Sequence, residues 1–275
     1  MSISIELKKA LMYNYYSENV RECKMKAFLM NGAGNDFAVV DARNINIDMS
    51  NMAKELCKKY QCDGFMALDN SDIADIKLHF YNCDGSRAEM CGNGARCICR
   101  FAYDNGIAGK TMTVETDAGT LFGERISDNI YRIRMSDLAN IALSEKDGMD
   151  LAVVGVPHIV IEFADLDWNR TDELFERARK LRNALDANVN FYKKENEDTV
   201  SLLTYERGVE DFTLACGTGS SAVAAVLWSK GEAKSRSFTI KNRGGDLKVL
   251  IESDKNKITA LYLEGGAEVD LIENI

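Results

Sequence analysis

The chain has 275 residues, 46% apolar and 28% charged, with a formal net charge of -9 and a pI near 5.0. That length holds one large domain or two modest ones around a real core, and the composition is that of a globular protein. The acidic balance, with no basic run longer than a pair, argues against a nucleic-acid partner. No stretch approaches the roughly 18 apolar residues of a membrane span, so no membrane association is expected.

The first 24 residues lack the long apolar core and small-residue cleavage site of a secretory signal. They read as an N-terminal extension of a cytoplasmic protein. Eight cysteines are then expected to be reduced. The default for each is a small buried hydrophobe.

Further along, Gly34-Asn35-Asp36-Phe37-Ala38-Val39-Val40-Asp41 starts at a turn and continues as a buried strand. His79 lies in an alternating strand and is assigned a structural role. Cys91-Gly92-Asn93-Gly94 opens a helix-forming run that closes at Asn105-Gly106, a glycine C-cap. Within that run, Cys97 and Cys99 are two apart and do not share a helix face, so no metal site is expected. Gly155-Val156-Pro157-His158-Ile159-Val160-Ile161-Glu162 repeats the earlier turn-and-strand pattern. Cys216-Gly217-Thr218-Gly219 then opens a second helix, closing at Lys230-Gly231. Asn82 and Arg207 each stand nine residues before one of these cysteines, which are themselves 125 residues apart. Three matching features in one order point to an internal duplication, and so to two lobes facing across a cleft.

The chemistry follows from where the cysteines stand. A glycine-rich turn starting a helix aims free N–H groups, and the positive end of the dipole, at one place. Two such ends facing one cleft could hold a substrate carboxylate. They would stabilise the charge that flows into it when the α-proton leaves. A helix N-terminus also lowers a thiol pKa from its ordinary value of about 8.5. One cysteine could then act as thiolate base on one face, while the other protonates the opposite face. A P-loop is excluded because neither loop carries its lysine. A cysteine-protease arrangement needs a nearby histidine, and the chain has only His79 and His158.

These blocks resemble the diaminopimelate epimerase family. The likeness runs through Asn31-Gly32-Ala33-Gly34-Asn35-Asp36-Phe37, Asn82-Cys83-Asp84-Gly85-Ser86 and Cys91-Gly92-Asn93-Gly94-Ala95-Arg96-Cys97. It continues through Asn188-Val189-Asn190-Phe191, Tyr205-Glu206-Arg207-Gly208 and Ala215-Cys216-Gly217-Thr218-Gly219, and covers about Met25 to Ile275. The resemblance implies an α+β fold of two pseudo-symmetric lobes, each a mixed sheet or barrel wrapped around a central helix. Residues 25–136 plus 262–275 would form the lobe of Cys91, and residues 137–261 the lobe of Cys216, with 1–24 outside both. It implies racemisation without pyridoxal phosphate or any other cofactor or metal, a small amino-acid substrate, and a homodimer.

By the same resemblance Cys91 and Cys216 are the catalytic thiols. Asn35, Gly92, Asn93, Gly217 and Thr218 hold the α-amino and carboxylate groups. Asn82, Asn188, Glu206 and Arg207 recognise the side chain. The chain departs from the pattern at Asn31, where histidine is usual, and at Val156, where the family has an asparagine that helps hold the distal end of diaminopimelate. Gly64, Val156 and His158 are therefore the candidates for altered specificity. Diaminopimelate, the sulfur analogue lanthionine, or another polar amino acid such as histidine are all compatible substrates. Isomerisation of a different small carboxylate, or amino-acid binding without catalysis, are the competing functions on this scaffold.

Overall fold

A computed structural model describes residues 25–88, 92–144, 148–169, 171–232 and 235–275. The N-terminal extension and Cys91 lie outside the described residues. Strands β1 (Lys26–Gly32) and β2 (Asn35–Asp41) pair antiparallel across a turn at Ala33 and Gly34, whose φ angles are 54° and 91°. Helix α1 (Met49–Tyr60) is capped by Asp48, which accepts from Asn51 N at 3.0 Å. It leads to β3 (Gly64–Asp69), parallel to β2. Strand β4 (Ile76–Asn82) returns antiparallel on β3, and α2 (Gly92–Asp104) crosses to β5 (Thr111–Thr116), parallel to β4. Strands β6 (Gly119–Arg125) and β7 (Ile130–Arg134) close this half as a meander.

The second half repeats the first. Strands β8 (Leu138–Ala142), β9 (Met149–Val154) and β10 (Val156–Glu162) pair antiparallel. Helix α3 (Asp172–Leu185) leads to β11 (Asn188–Lys194), parallel to β10. Strand β12 (Thr199–Glu206) returns on β11, with the short β13 (Asp211–Phe212) along its end. Helix α4 (Gly217–Ser229) crosses to β14 (Ser237–Lys241), parallel to β12. Strands β15 (Leu247–Asp254) and β16 (Lys257–Gly266) complete the meander, and β17 (Glu268–Asn274) follows. The architecture is α+β with two pseudo-symmetric lobes.

Two pairings tie the halves together. Strand β7 pairs with β16, joining both sheets, with Ile133 opposite Leu263 at the junction. The next strands are exchanged: β8 follows β7 but pairs with β9 of the second half, and β17 follows β16 but pairs with β1 of the first.

The period-two pattern of the strands sorts their side chains between two layers. Along β2, Phe37 and Val39 join the inner core with α2, whereas Ala38 and Val40 pack against α1. Along β10, Val160 faces the inner core and Ile159 and Ile161 face α3. Helix α4 is apolar on nearly every face and is buried throughout its middle, as a helix enclosed by a sheet requires. Burial of Val223, Val226 and Leu227 contributes about 1.5–3 kcal/mol each. Both expected glycine caps have left-handed backbone, with φ of 65° at Gly106 and 69° at Gly231. Cys97 and Cys99 pack to different sides of α2: a Cβ on Gly32 would meet the Cys97 sulfur at 3.1 Å, and one on Gly123 would meet that of Cys99 at 2.4 Å.

Candidate active site

The two inner helices begin at the same point. A Cβ built on Gly92 would lie 3.9 Å from Cα of Gly217, and one on Gly217 would lie 3.8 Å from Cα of Gly92. The same Cβ on Gly217 would come within 2.8 Å of Leu263, the residue at the strand junction beneath both helices. At Gly217 glycine is therefore needed for the two N-termini to meet, whereas a Cβ on Gly92 would meet nothing nearer than 3.4 Å. Their free N–H groups and positive dipole ends converge on a cavity of about 580 Å³.

Ten of the residues singled out by sequence line that cavity. From the first half come Asn35, Gly92 and Asn93. From the second come Val156, Asn188, Glu206, Arg207 and the run Cys216-Gly217-Thr218. Asn93 Nδ2 donates to Asn35 Oδ1 at 2.7 Å, and Asn35 Nδ2 donates to Asp63 Oδ2 at 3.0 Å. Behind them the wholly buried Arg96 donates from Nη2 to Asn93 Oδ1 (3.0 Å) and from Nη1 to Gly92 O (3.2 Å). Asn188 Oδ1 accepts from Arg207 N at 2.7 Å, and the Arg207 guanidinium is held by Asp186 at 3.0 Å.

Cys216 is the N-cap of α4. Its Sγ accepts from Gly219 N at 3.3 Å and lies 3.4 Å from Thr218 Oγ1. The helix start leads one to expect a lowered thiol pKa, and the structure reverses that direction. Burial, chiefly, and the Glu206 carboxylate beside it push the Cys216 thiol up, against the smaller opposing pull of Thr218 and the Gly219 N–H. Glu206 is itself raised by burial, and its Oε1 accepts from Thr213 Oγ1 at 2.6 Å. Glu206, expected only at the side-chain end of the substrate, thus sits against the thiol. Cys91 immediately precedes Gly92 in sequence and is outside the described residues.

Three expected residues stand elsewhere. Asn82 and Gly64 are paired across β3 and β4, and the Asn82 amide donates to Ser86 Oγ at 2.9 Å, away from the cavity. His158 is fully buried in the second half, its Nδ1 3.2 Å from Asn190 Nδ2, and burial brings its pKa down to about 3. It belongs to the core under α4, on the same strand face as Val160 and further along β10 from the cavity than Val156. Conversely, Ala118, Met135, Ser136, Gly155 and Ala215 line the cavity without having been singled out. Met135 and Ser136 come from the crossover between β7 and β8, and Ala118 from the β5–β6 turn, so no local motif marks them. Gly155, with φ of 69°, was visible as a turn.

Among the described residues no group of three or more His, Cys, Asp or Glu side chains is placed to hold a metal ion, and no helix is long and apolar enough to cross a membrane.

Comparison with known proteins places the fold. It is similar to a phenazine biosynthesis protein of the PhzF family from Bacillus anthracis, with a TM-score of 0.69 at 14% identity, over 91% of this chain and 98% of that one. It is also similar to a hydroxyproline epimerase from Agrobacterium vitis with bound trans-4-hydroxy-L-proline (TM-score 0.63, 16% identity, 91% and 90% covered). The diaminopimelate epimerase family model matches residues 27–134 and 151–269. The diaminopimelate epimerase of Aquifex aeolicus (strain VF5) is 35% identical over 248 residues, covering 81% of this chain and 88% of the relative. That of Caldanaerobacter subterraneus subsp. tengcongensis is 35% identical over 272 residues, covering 89% and 97%. Together with the converging helices, these likenesses define an isomerase of the racemase and epimerase type. Within that class, the chain belongs to the diaminopimelate epimerase family.

Proposed function

We propose that this enzyme epimerises diaminopimelate at Cα without a cofactor, by proton transfer between Cys91 and Cys216 on opposite faces of the substrate. The observation that carries this reading is the meeting of the two helix N-termini at Gly92 and Gly217, each directly preceded in sequence by one of the cysteines. A carboxylate held between the two ends accepts hydrogen bonds from both. When the α-proton leaves, its charge spreads onto that carboxylate, and the same donors hold the planar carbanion more strongly than the ground state. Burial and Glu206 keep Cys216 as a thiol, which makes it the proton donor and Cys91 the base in the first turnover. After one inversion the two have exchanged states, so the next turnover runs in the opposite sense. Asn188, Glu206 and Arg207 serve the distal end. The substrate assignment follows the names of the relatives.

A second reading is favoured by Val156. Its side chain lines the cavity, where a polar distal group would find no partner from it. An unpaired buried polar group costs about 1–3 kcal/mol. A polar amino acid without that distal group, such as histidine, fits that wall, whereas lanthionine shares the distal end of diaminopimelate and belongs with the first reading. Incubation in deuterated water with diaminopimelate, lanthionine and each L-amino acid tests both readings. Exchange at Cα of diaminopimelate or lanthionine supports the first, and exchange confined to another amino acid supports the second. Exchange into none of them sinks the racemase reading and leaves isomerisation of another carboxylate, or binding alone. A cytoplasmic homodimer belongs to the same proposal, and sedimentation of the full chain tests the assembly.

A further inference from the structure

Building on the epimerase reading, on which this inference rests, we propose that Arg96 and Asp63 are positioning residues. From opposite sides they hold the Asn35 amide so that its oxygen receives the α-ammonium group of the substrate. The described residues that line the cavity include Asn35 and Asn93 but neither Arg96 nor Asp63, so both act through the two asparagines.

Four side chains stand in one file. Arg96, near the start of α2 and wholly buried, donates from Nη2 to Asn93 Oδ1 at 3.0 Å. Asn93 Nδ2 donates to Asn35 Oδ1 at 2.7 Å and reaches Ala215 O of the second half at 3.5 Å. Asn35 Nδ2 donates to Asp63 Oδ2 at 3.0 Å. Asp63 is fixed in its turn. Asp36 N donates to the same Oδ2 at 3.0 Å, and Asp63 N donates to Asp36 O at 2.8 Å. The residue before β3 is thereby tied to the start of β2 through both side chain and backbone.

The two ends dictate the direction of the file. An amide can turn end for end, exchanging its oxygen and its NH2. A guanidinium only donates, so Asn93 must offer it the oxygen. A carboxylate only accepts, so Asn35 must offer it the NH2. Both demands give the same order, from Arg96 to Asp63. Turning Asn93 alone would set its NH2 against the guanidinium and its oxygen against Ala215 O and Asn35 Oδ1. In these bonds Asn35 uses one lone pair and one hydrogen, and keeps one of each. An ammonium group needs the lone pair. Donation to the Asp63 anion also polarises the Asn35 amide and makes its oxygen a stronger acceptor. Without the two ends, the amide could present its NH2 to the substrate, and an NH2 repels an ammonium.

The test is calorimetric binding of diaminopimelate to the full chain carrying Cys216→Ser, which lacks one proposed proton carrier. Asp63→Asn, a change of equal shape at an exposed position, should weaken binding about tenfold with an unchanged urea midpoint. The exchanged pair, Asn35→Asp with Asp63→Asn, again turns an oxygen to the substrate and should recover most of that loss. Arg96→Lys keeps the charge but not the fork that serves Asn93 and Gly92 together, and should also weaken binding. Joined to Asp63→Asn it leaves the amide free to turn, so the combined loss should exceed the product of the two. No binding at all, unchanged affinity in Asp63→Asn, no recovery in the exchanged pair, or losses that simply multiply would each overturn the proposal. Deuterium exchange at Cα is followed in the unaltered chain. Exchange there, with binding indifferent to Asp63→Asn, keeps the epimerase reading and sinks the positioning role. Binding weakened by Asp63→Asn and restored in the exchanged pair, without exchange at Cα, leaves the two residues positioning a bound amino acid and sinks the epimerase reading.

Discussion

The two halves share a register but not a chemistry. Beneath α2, the equivalent positions on β2, β3 and β4 are Phe37, Met66 and Phe80, an apolar group with the two rings 5.9 Å apart. Beneath α4 the matching positions on β10, β11 and β12 are His158, Asn190 and Thr204. There Asn190 Oδ1 accepts from Thr204 Oγ1 at 2.9 Å, and its Nδ2 donates to Ile159 O at 2.9 Å. Four residues into α2 stands the buried cation Arg96; four residues into α4 stands the neutral Ser221, donating to Gly217 O at 2.9 Å. Both devices anchor the carbonyl of the first helical glycine. Duplication thus preserved the backbone while the charge beneath each helix start diverged: a guanidinium under one, a carboxyl beside the thiol of the other. Symmetry brings the two helix starts together, and asymmetry sets Glu206 beside Cys216.

That comparison can be broken at graded cost. The largest effect is expected from removing either thiol: Cys91→Ser and Cys216→Ser should each lower kcat by about 10²–10⁴-fold in a deuterium-exchange assay. Full activity in either would refute the pair. Next is Arg96→Met, which leaves Asn93 Oδ1 and Gly92 O without this donor and should cost about 3 kcal/mol in urea unfolding, against about 1 kcal/mol for Ser221→Ala. Equal costs would mean the guanidinium is only a helix anchor.

Gly219→Ala places a Cβ 2.4 Å from Asn190 Oδ1, an atom fixed in the polar group, and should cost about 2 kcal/mol by the same measurement. The last effect is on acid stability, and it appears only as the pH falls. His158 is held neutral by burial and by Arg207, with a pKa of about 3 in the folded chain against 6.5 for the free group. The unfolded chain takes up a proton that the folded one refuses. Stability is therefore full above pH 6.5 and falls below it, by about 1.4 kcal/mol per unit until about pH 3. His158→Phe, copying the first half, should flatten that slope in thermal melts between pH 7 and pH 5.

The scaffold was legible because it is written in short-range signals. Glycine-rich turns at Gly92 and Gly217 open the helices, Gly106 and Gly231 close them, and β2 and β10 carry matching apolar runs. The specificity wall was less so. Met135 and Ser136 reach the cavity only because the chain crosses between halves there, and nothing in their local sequence marks that path. The raised Cys216 thiol was not legible for the same reason. A helix start is visible in sequence, but burial and the approach of Glu206 from β12 are tertiary. Asn82 and Glu206 hold equivalent places on β4 and β12, yet only Glu206 lines the cavity. A repeat in sequence does not say which copy faces the ligand.

The exchange of β8 and β17 has a consequence for the order in which the protein can be made. Strand β1 is among the first segments described, and its outer partner β17 is the last, with Lys26 opposite Asn274. On a ribosome the first half emerges with its outer β1 edge unpaired and stays so until β17 has been made. Closing that pair joins segments far apart in sequence, which places it among the slow, non-local steps of folding. A truncation of a few residues at the C-terminus would therefore be felt first at the start of the chain, far from the cut in sequence and adjacent to it in space.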